Sequence, residues 1–450
     1  MSLPPIAAIV LAAGQGTRMK SDRHKVLHPI AGRPMLHHLL ASIDTLAPTE
    51  KVVVVGSGRD QIEASLAGRG VRIAVQAEQL GTGHAVQQAE EALQEFDGDI
   101  LILYGDVPLV SVDTMQRMRE RLNASDAPAA VVLGFRPTDP AAYGRIVADD
   151  AGTIAKMVEF KDASAEERAV TLCNSGLLAV RARDLFALLA RVGNDNAAGE
   201  YYLPDIVMLA ATDGRQSAVI EGAAWEVAGV NSRAELAAVE ASWQQRRRAA
   251  AMADGVTLTA PDTVYFAYDT VLGRDVTIEP NVVFGPGVHV ADHVSIRAFS
   301  HLEGAVVEKG SEVGPYARLR PGAVLREKAK VGNFVEVKKA VLGKGAKANH
   351  LSYLGDAEIG EGANIGAGTI TCNYDGYFKY RTEIGKGAFI GSNSALVAPV
   401  RIGDGAIVGA GSVVIRDVEA DALGVARGKQ DVKPGWAARF RAAMQAKKAG

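Results

Sequence analysis

Two groups of residues in this chain of 450 amino acids carry the means for chemistry. The first starts at Leu11-Ala12-Ala13-Gly14-Gln15-Gly16-Thr17-Arg18-Met19. Glycines at 14 and 16 let backbone N–H groups approach a phosphate with no Cβ in the way. Arg18 and Lys25 supply cations for a polyphosphate. A lone G-x-G is weak, since a tight turn also produces it, and this one is neither G-x-G-x-x-G nor a Walker loop. Tyr104-Gly105-Asp106-Val107-Pro108-Leu109 adds a carboxylate after an apolar run. At the carboxyl end of a parallel strand that group lies at the ligand crevice, where Asp106 is a hard oxygen donor for Mg²⁺. The competing reading is an Asp that caps the next helix. The second group lies far downstream. His350 stands three residues before Tyr353, and Arg320, Lys338 and Lys379 are cations that could clamp a sugar phosphate. Amine acylation needs a base near neutral pH to take a proton from the nucleophilic nitrogen, and His suits that task. A lone His in a loop is otherwise more often a plain surface residue.

Two different scaffolds must position these groups. Up to about residue 233, the runs Ile6–Leu11, Val52–Val55, Ile100–Tyr104 and Val131–Phe135 read as strands buried on both faces of a mainly parallel sheet. Between the first two, Met35, Leu36, Leu39, Leu40 and Ile43 recur at helical spacing behind Pro34. Alternating strands and helices predict a Rossmann-like α/β domain over 1–233 with right-handed crossovers. Leu236, Val239 and Trp243 share one face of a connecting helix over 234–254, and Arg246–Arg248 read as its solvated end.

From about 255 a different period takes over. Leu272, Ile278, Phe284, Val290, Ile296 and Leu302 recur every six residues. The register resumes at Val313, Leu319, Leu325, Val331 and Val337, and again from Ile359 to Val414. Three six-residue faces make one triangular coil, with the aliphatics stacked inward and the coils paired at about 4.8 Å. A Gly-rich linker would hold no such register. The period predicts a parallel β-helix over 255–450. Its two interruptions, about 338–358 and Thr371–Glu383, are expected to be loops that carry the chemistry.

Composition excludes several other classes. A net charge of −3 offers no field for nucleic acid, and the cations Arg439, Arg441, Lys447 and Lys448 read as a solvated chain end. Cys173 and Cys372 form no C-x-x-C pair, which fits a reducing cytosol and packing roles. No apolar run reaches the ~18 residues of a membrane span. Leu3–Ala13 lacks a preceding cation and a cleavage site, so it reads as a buried strand rather than a leader.

The motif L-A-A-G-x-G-T-R-M with its following Lys, and Y-G-D-x-P-L, resemble the sugar-1-phosphate nucleotidyltransferases. Over 1–430 the chain resembles, more specifically, the bacterial bifunctional UDP-N-acetylglucosamine pyrophosphorylases / glucosamine-1-phosphate N-acetyltransferases. KVLH (25–28), QLGTGHA (79–85), VEFKDA (158–163), CNSG (173–176), EYYLPDIV (200–207), GVNSR (229–233), PYARLRPGA (315–323), NHLSYLGD (349–356) and NIGAGTITCNYDG (364–376) carry this resemblance. It implies a left-handed β-helix of hexapeptide repeats. It implies that Leu11, Ala12, Gly14 and Lys25 hold the uridine nucleotide, with Gln76, Gly81 and Thr82 reading the uracil. Tyr104, Gly105, Gly144, Glu159 and Asn174 would bind the sugar phosphate, and Asp106 and Asn231 would bind Mg²⁺. Arg18 and Lys25 would stabilise charge at the α-phosphate. In the β-helix it implies His350 as base, with Arg320, Lys338, Tyr353, Asn364 and Lys379 on glucosamine 1-phosphate. Ala367, Asn373, Tyr374, Ser392, Ala410 and Arg427 would bind acetyl-CoA. A cytoplasmic homotrimer with sites between subunits is implied, with acetyl-CoA and UTP as co-substrates, no membrane or nucleic-acid partner, and a product used for peptidoglycan and lipopolysaccharide. Two alternatives stand beside it: a nucleotidyltransferase whose β-helix only oligomerises, which predicts short loops without a base, and a non-catalytic regulatory subunit, which predicts loss of the phosphate loop and metal ligands.

Overall fold

The computed structural model describes residues 3–56, 58–140 and 142–449. Contacts divide the chain into two units, Met1–Arg247 and Arg248–Gly450.

In the first unit, strand Ile6–Ala12 is buried at every position. It pairs in parallel with Glu50–Val55 and Asp99–Tyr104, and Arg72–Val75 extends the sheet. Ala7, Ile9 and Leu11 enter one hydrophobic core while Ala8, Val10 and Ala12 enter another. Burial on both faces is the reason these runs do not alternate. The expected parallel sheet is mixed on one side, where Arg145–Ala148 pairs antiparallel with Ile154–Val158 and a further strand reverses. Cys173–Arg181 runs antiparallel between Asp99–Tyr104 and Ala130–Phe135. The consequence for chemistry lies at the carboxyl edge. Leu11 pairs with Tyr104, and the Gly105 N–H donates to Leu11 O at 2.9 Å, so the glycine loop and the Asp106 turn leave the sheet side by side.

Helix Met35–Thr45 buries Leu36, Leu39, Leu40 and Ile43 as its spacing demands, and His37 with them. Burial, then the charges of Arg69 and Arg33, hold the His37 pKa down at about 4. Its place in the first helical turn also disfavours a cation. Burial likewise lowers His24, His28 and His38. Unfolded histidines titrate near pH 6.5. These groups therefore stabilise the fold fully above that pH and lose the contribution as pH falls toward their folded values. Burial raises the carboxyls of Asp99, Glu159 and Asp205, which opposes the trend at lower pH. The unfolding temperature is expected to fall between pH 7 and 5.5, and His37→Gln should flatten that slope. An unchanged slope in His37→Gln would remove His37 from the effect.

Helix Arg233–Ala253 follows. Its Arg run is solvated only in part, since Arg246 is exposed and Arg248 is not. Arg246 lies 3.3 Å over the Trp225 ring, and Arg248 is buried, donating to Val264 O and pairing with Asp262. Guanidinium groups stack and fork in ways a period search cannot register.

The second unit is three parallel sheets of ten, eight and eight strands. Thr277–Ile278 pairs with Ser295–Ile296, one coil on, and Val283–Phe284 pairs with His301–Leu302. The predicted inward aliphatics are buried from Ile278 to Val414. One expected interruption does not exist. Over 338–358 the coils continue as strands Val341–Leu342, Lys347–His350, Tyr353–Gly355 and Ala357–Ile359, with Leu342, Ala348 and Leu354 inward. Two five-residue faces, Val337 to Leu342 and Leu354 to Ile359, shift the six-residue register and hide it. The second interruption is real. Residues 373–381 leave the coil between strands Ile370–Cys372 and Thr382–Ile384.

Candidate functional site

In the first unit a cavity of about 360 Å³ is lined by Leu11, Ala12, Gly14, Lys25, Gln76, Gly81, Thr82, Tyr104 and Asp106. Each comes from an element end at the carboxyl edge. Gly16 adopts φ +63°, and a Cβ there would sit 2.6 Å from Lys25 Cβ. This glycine is what lets the loop close over Lys25. Gly81 opens helix Thr82–Gln87 at φ +112°, with Tyr201 O only 2.6 Å from a Cβ position. Gln76 is buried, and its amide donates to Gly81 O at 3.0 Å. Gln79 and Glu200 also line the cavity, and the Gln79 amide donates to Ala13 O at 2.6 Å. Sequence reasoning singled out neither; both lie inside matched motifs, which was the available signal.

At the cavity's polar end, Lys25 Nζ lies 2.5 Å from Asp106 Oδ2 and 3.0 Å from Asn231 Oδ1. The Val230 N–H donates to Asp106 O, which brings the Gly229–Ser232 segment back beside Asp106. Glu235 then accepts from the Asn231 N–H at 2.7 Å and holds that turn. Two hard oxygens thus converge on one cation. That donor set fits Mg²⁺, which takes one or two protein oxygens and completes its octahedron with water and phosphate. Among the described residues no group of three or more His, Cys, Asp or Glu is placed to hold a metal ion. Burial, then the Asp106 charge, raises the Tyr104 hydroxyl pKa, so it stays a neutral donor.

A second cavity of about 450 Å³ takes Glu159 and Asn174, with Arg145, Asp162, Tyr202 and Asp205. Gly144 backs it, since a Cβ there would meet the Glu159 carboxylate at 3.2 Å, and Gly144 O accepts from the Asn174 N–H. Asn174 Oδ1 accepts from Gly176 N–H at 2.8 Å, and Gly176 lies against the Tyr104 ring. Burial, then Asp205 and Asp162, raises the Glu159 pKa. Gly105 and Asn231 line neither cavity but are tied to residues that do, Gly105 to Leu11 and Asn231 to Lys25. Among the described residues Arg18 is not so tied. It is exposed in the short turn Thr17–Met19 and lines neither cavity.

In the β-helix, the strand register gathers residues that the sequence scatters. Ala348 pairs with Ile365, Ile365 with Ile390, and Ile390 with Val408. Two residues beyond each, His350, Ala367, Ser392 and Ala410 therefore form one column along a corner. His350 is the last residue of a strand and not, as expected, part of a loop. Its Nδ1 lies 2.5 Å from Asn333 Oδ1, a residue that sequence reasoning did not single out. Arg427 donates to Ala410 O at 2.6 Å and extends the column. Asn364 lies on the same sheet as His350.

On the next sheet Lys338 pairs with Gly355, and Arg320, bonded to Glu336 Oε1 at 2.8 Å, lies one coil earlier. Lys379 comes from the 373–381 excursion and reaches the Lys338 ammonium. That contact, with Arg320 nearby, lowers the Lys338 pKa. Glu336 offsets the charge of Arg320, while Lys338 and Lys379 repel each other, a repulsion that a further anion would relieve. Tyr353 starts the strand beside them, and its hydroxyl comes within 2.4 Å of a Cβ position at Gly355. Asn373 is buried and bonds Asp356 Oδ2 at 2.5 Å, whereas Tyr374 is exposed and bridges Lys379 across the excursion.

Comparison with known proteins agrees with this division. Residues 8–170 match the MobA-like NTP transferase domain, and 269–304 and 381–416 match the bacterial transferase hexapeptide repeats. The Bifunctional protein GlmU of Sphingopyxis alaskensis is 69% identical over 99% of this chain and 98% of its own length. Those of Rhizorhabdus wittichii and Novosphingobium aromaticivorans are 70% identical at the same coverage. With identity of this order sustained from one end to the other, the chain belongs to the GlmU family of bifunctional proteins.

Proposed function

We propose that this chain makes UDP-N-acetylglucosamine in two steps, with residues 255–450 acetylating glucosamine 1-phosphate and residues 1–233 uridylylating the product. The helix over 234–254 connects them. The observation that carries the two-activity reading is on the β-helix: His350 in a column along one corner, and beside it a cluster of Arg320, Lys338 and Lys379 that the 373–381 excursion completes, which a purely oligomerising module has no use for.

In acetyl transfer, Arg320, Lys338 and Lys379 hold the sugar phosphate. His350 takes the proton as the amine nitrogen attacks the thioester carbonyl. The C–S bond breaks and CoA leaves as the thiol. The column of small residues at 367, 392 and 410 leaves room for an extended acetyl-CoA, with Asn373, Tyr374 and Arg427 at its margins. In uridylyl transfer, an oxygen of the N-acetylglucosamine 1-phosphate monoester attacks the α-phosphorus of UTP, and pyrophosphate leaves. The acceptor is already anionic, so no base is needed. The task is positioning and charge stabilisation. Lys25 and the backbone at Gly14 face the phosphates, and Gln76, Gly81 and Thr82 bound the base. Asp106 and Asn231 would hold Mg²⁺, which neutralises phosphate charge when bound. Arg18 would have to swing in from the exposed turn to join them.

The subunits associate as a trimer through the β-helix, in the cytoplasm. Among the described residues no helix is long and apolar enough to cross a membrane. The deciding assay is thiol release from acetyl-CoA and glucosamine 1-phosphate without nucleotide. Release that depends on the sugar phosphate is expected. None from a folded oligomer would reduce the β-helix to a scaffold and leave a single-activity nucleotidyltransferase.

A further inference from the structure

We infer that Asn333 is the positioning residue of the acetyl-transfer base, holding the His350 ring so that Nε2 presents its lone pair; this rests on the reading of His350 as that base. Three observations meet at this pair. First, the strand ladder sets Asn333 of strand Lys330–Asn333 directly against His350 of strand Lys347–His350. Second, the side chains bond, Nδ1 to Oδ1, at 2.5 Å. Third, the backbone beneath them is fixed. The Leu351 N–H donates to Asn333 O at 3.0 Å. Phe334 and Leu351, the next residues in each coil, both turn the corner in the left-handed region at φ 56° and 51°. The Phe334 ring stacks on Tyr316 at 5.1 Å, and Tyr316 stacks on Phe299 at 4.9 Å. Asn333 therefore stands on a corner that successive coils repeat.

The chemistry of the pair sets the tautomer. A neutral imidazole has one donor and one acceptor nitrogen, and an amide oxygen only accepts. The proton must then sit on Nδ1, which leaves Nε2 free to take a proton from an amine. The opposite tautomer would place a hydrogen on Nε2 and block that transfer. His350 is exposed, and among the described residues its side chain has no other hydrogen-bond partner. Without Asn333 nothing would select its ring orientation or tautomer. An amide also differs from a carboxylate. It orients the ring without a charge that stabilises the imidazolium, so the imidazolium can pass its proton to the departing CoA sulfur.

The test is acetyl-transfer kinetics of the full-length Asn333→Ala, Asn333→Asp and His350→Ala variants, with uridylyl transfer and unfolding temperature as checks on folding. Asn333→Ala is expected to lose kcat by about 10- to 100-fold, the usual cost of removing a group that orients a functional His, with both KM values within about twofold. Asn333→Asp keeps the acceptor. It should retain most of kcat above neutrality and move the acid limb of the pH profile up by about one unit, because an adjacent negative charge favours the imidazolium. A wild-type kcat in Asn333→Ala, with His350→Ala inactive, overturns the positioning role and leaves the base standing. A wild-type rate in His350→Ala removes the base itself. Should Asn333→Ala fail to fold, Asn333→Asp decides: activity with a shifted limb supports the inference, and loss of activity or an unshifted limb ends it.

Discussion

Replacing Asp106 by alanine lowers uridylyl transfer by roughly 10²–10³-fold, a loss of about 3–4 kcal/mol of transition-state stabilisation, while acetyl transfer stays near its wild-type rate. The expectation follows from the Lys25–Asp106–Asn231 arrangement. The Asp106 carboxylate is one of two oxygens converging on a single cation, at 2.5 Å, and the only charged one. Its removal takes away most of the attraction for a divalent ion. It also leaves the buried Lys25 ammonium with only the Asn231 oxygen, which pulls Lys25 out of place for the phosphates. Asp106→Asn separates these effects, since it keeps the shape and one neutral acceptor. It should lose activity but recover part of it at high Mg²⁺. Pyrophosphate release and CoA release are measured on the same preparation. Equal loss of both activities would sink the two-site reading, because nothing at Asp106 belongs to the β-helix unit.

The mirror experiment is His350→Ala, expected to lower acetyl transfer by about 10²–10⁴-fold, the range that a positioned general base supplies. His350 is exposed and outside the packed interior of the coils, so the variant should fold and keep uridylyl transfer. The loss should fall on kcat. Arg320, Lys338 and Lys379, the cations proposed to hold the sugar phosphate, remain in the variant, so the KM for glucosamine 1-phosphate should move little. Raising the pH should partly rescue the variant, because more of the substrate amine is then already neutral. A normal rate in His350→Ala at neutral pH would remove it as the base, whatever its neighbours do.

The scaffolds were legible because each is written in consecutive residues. Ile6–Ala12 is apolar at every position and is buried at every position. The inward aliphatics from Ile278 to Val337 are stacked as their period requires. The glycine loop and the Asp106 turn were legible for the same reason, since a strand followed by glycine or Asp is a local pattern. The 338–358 segment was misread as a loop because two faces of five residues replaced six, and a search at a fixed period loses step there. That slip hid the pairing that matters most. Asn333 and His350 are 17 residues apart, not 18, and only the closed coil brings them together.

What the sequence alone determined is the two-part architecture, the strands and coils, and the residue types available at each end of them. Hydrophobic burial is non-directional, so period and run length suffice to specify it. What only the tertiary structure decided is which polar groups meet. Lys25 finds Asp106 81 residues away and Asn231 206 residues away. Lys379 reaches Lys338 from an excursion, Arg18 lines neither cavity, and Arg248 is buried rather than solvated. Hydrogen bonds and ion pairs act over about 3 Å and only within a narrow range of angles. Their partners are therefore set by chain closure in three dimensions and leave no period along the sequence.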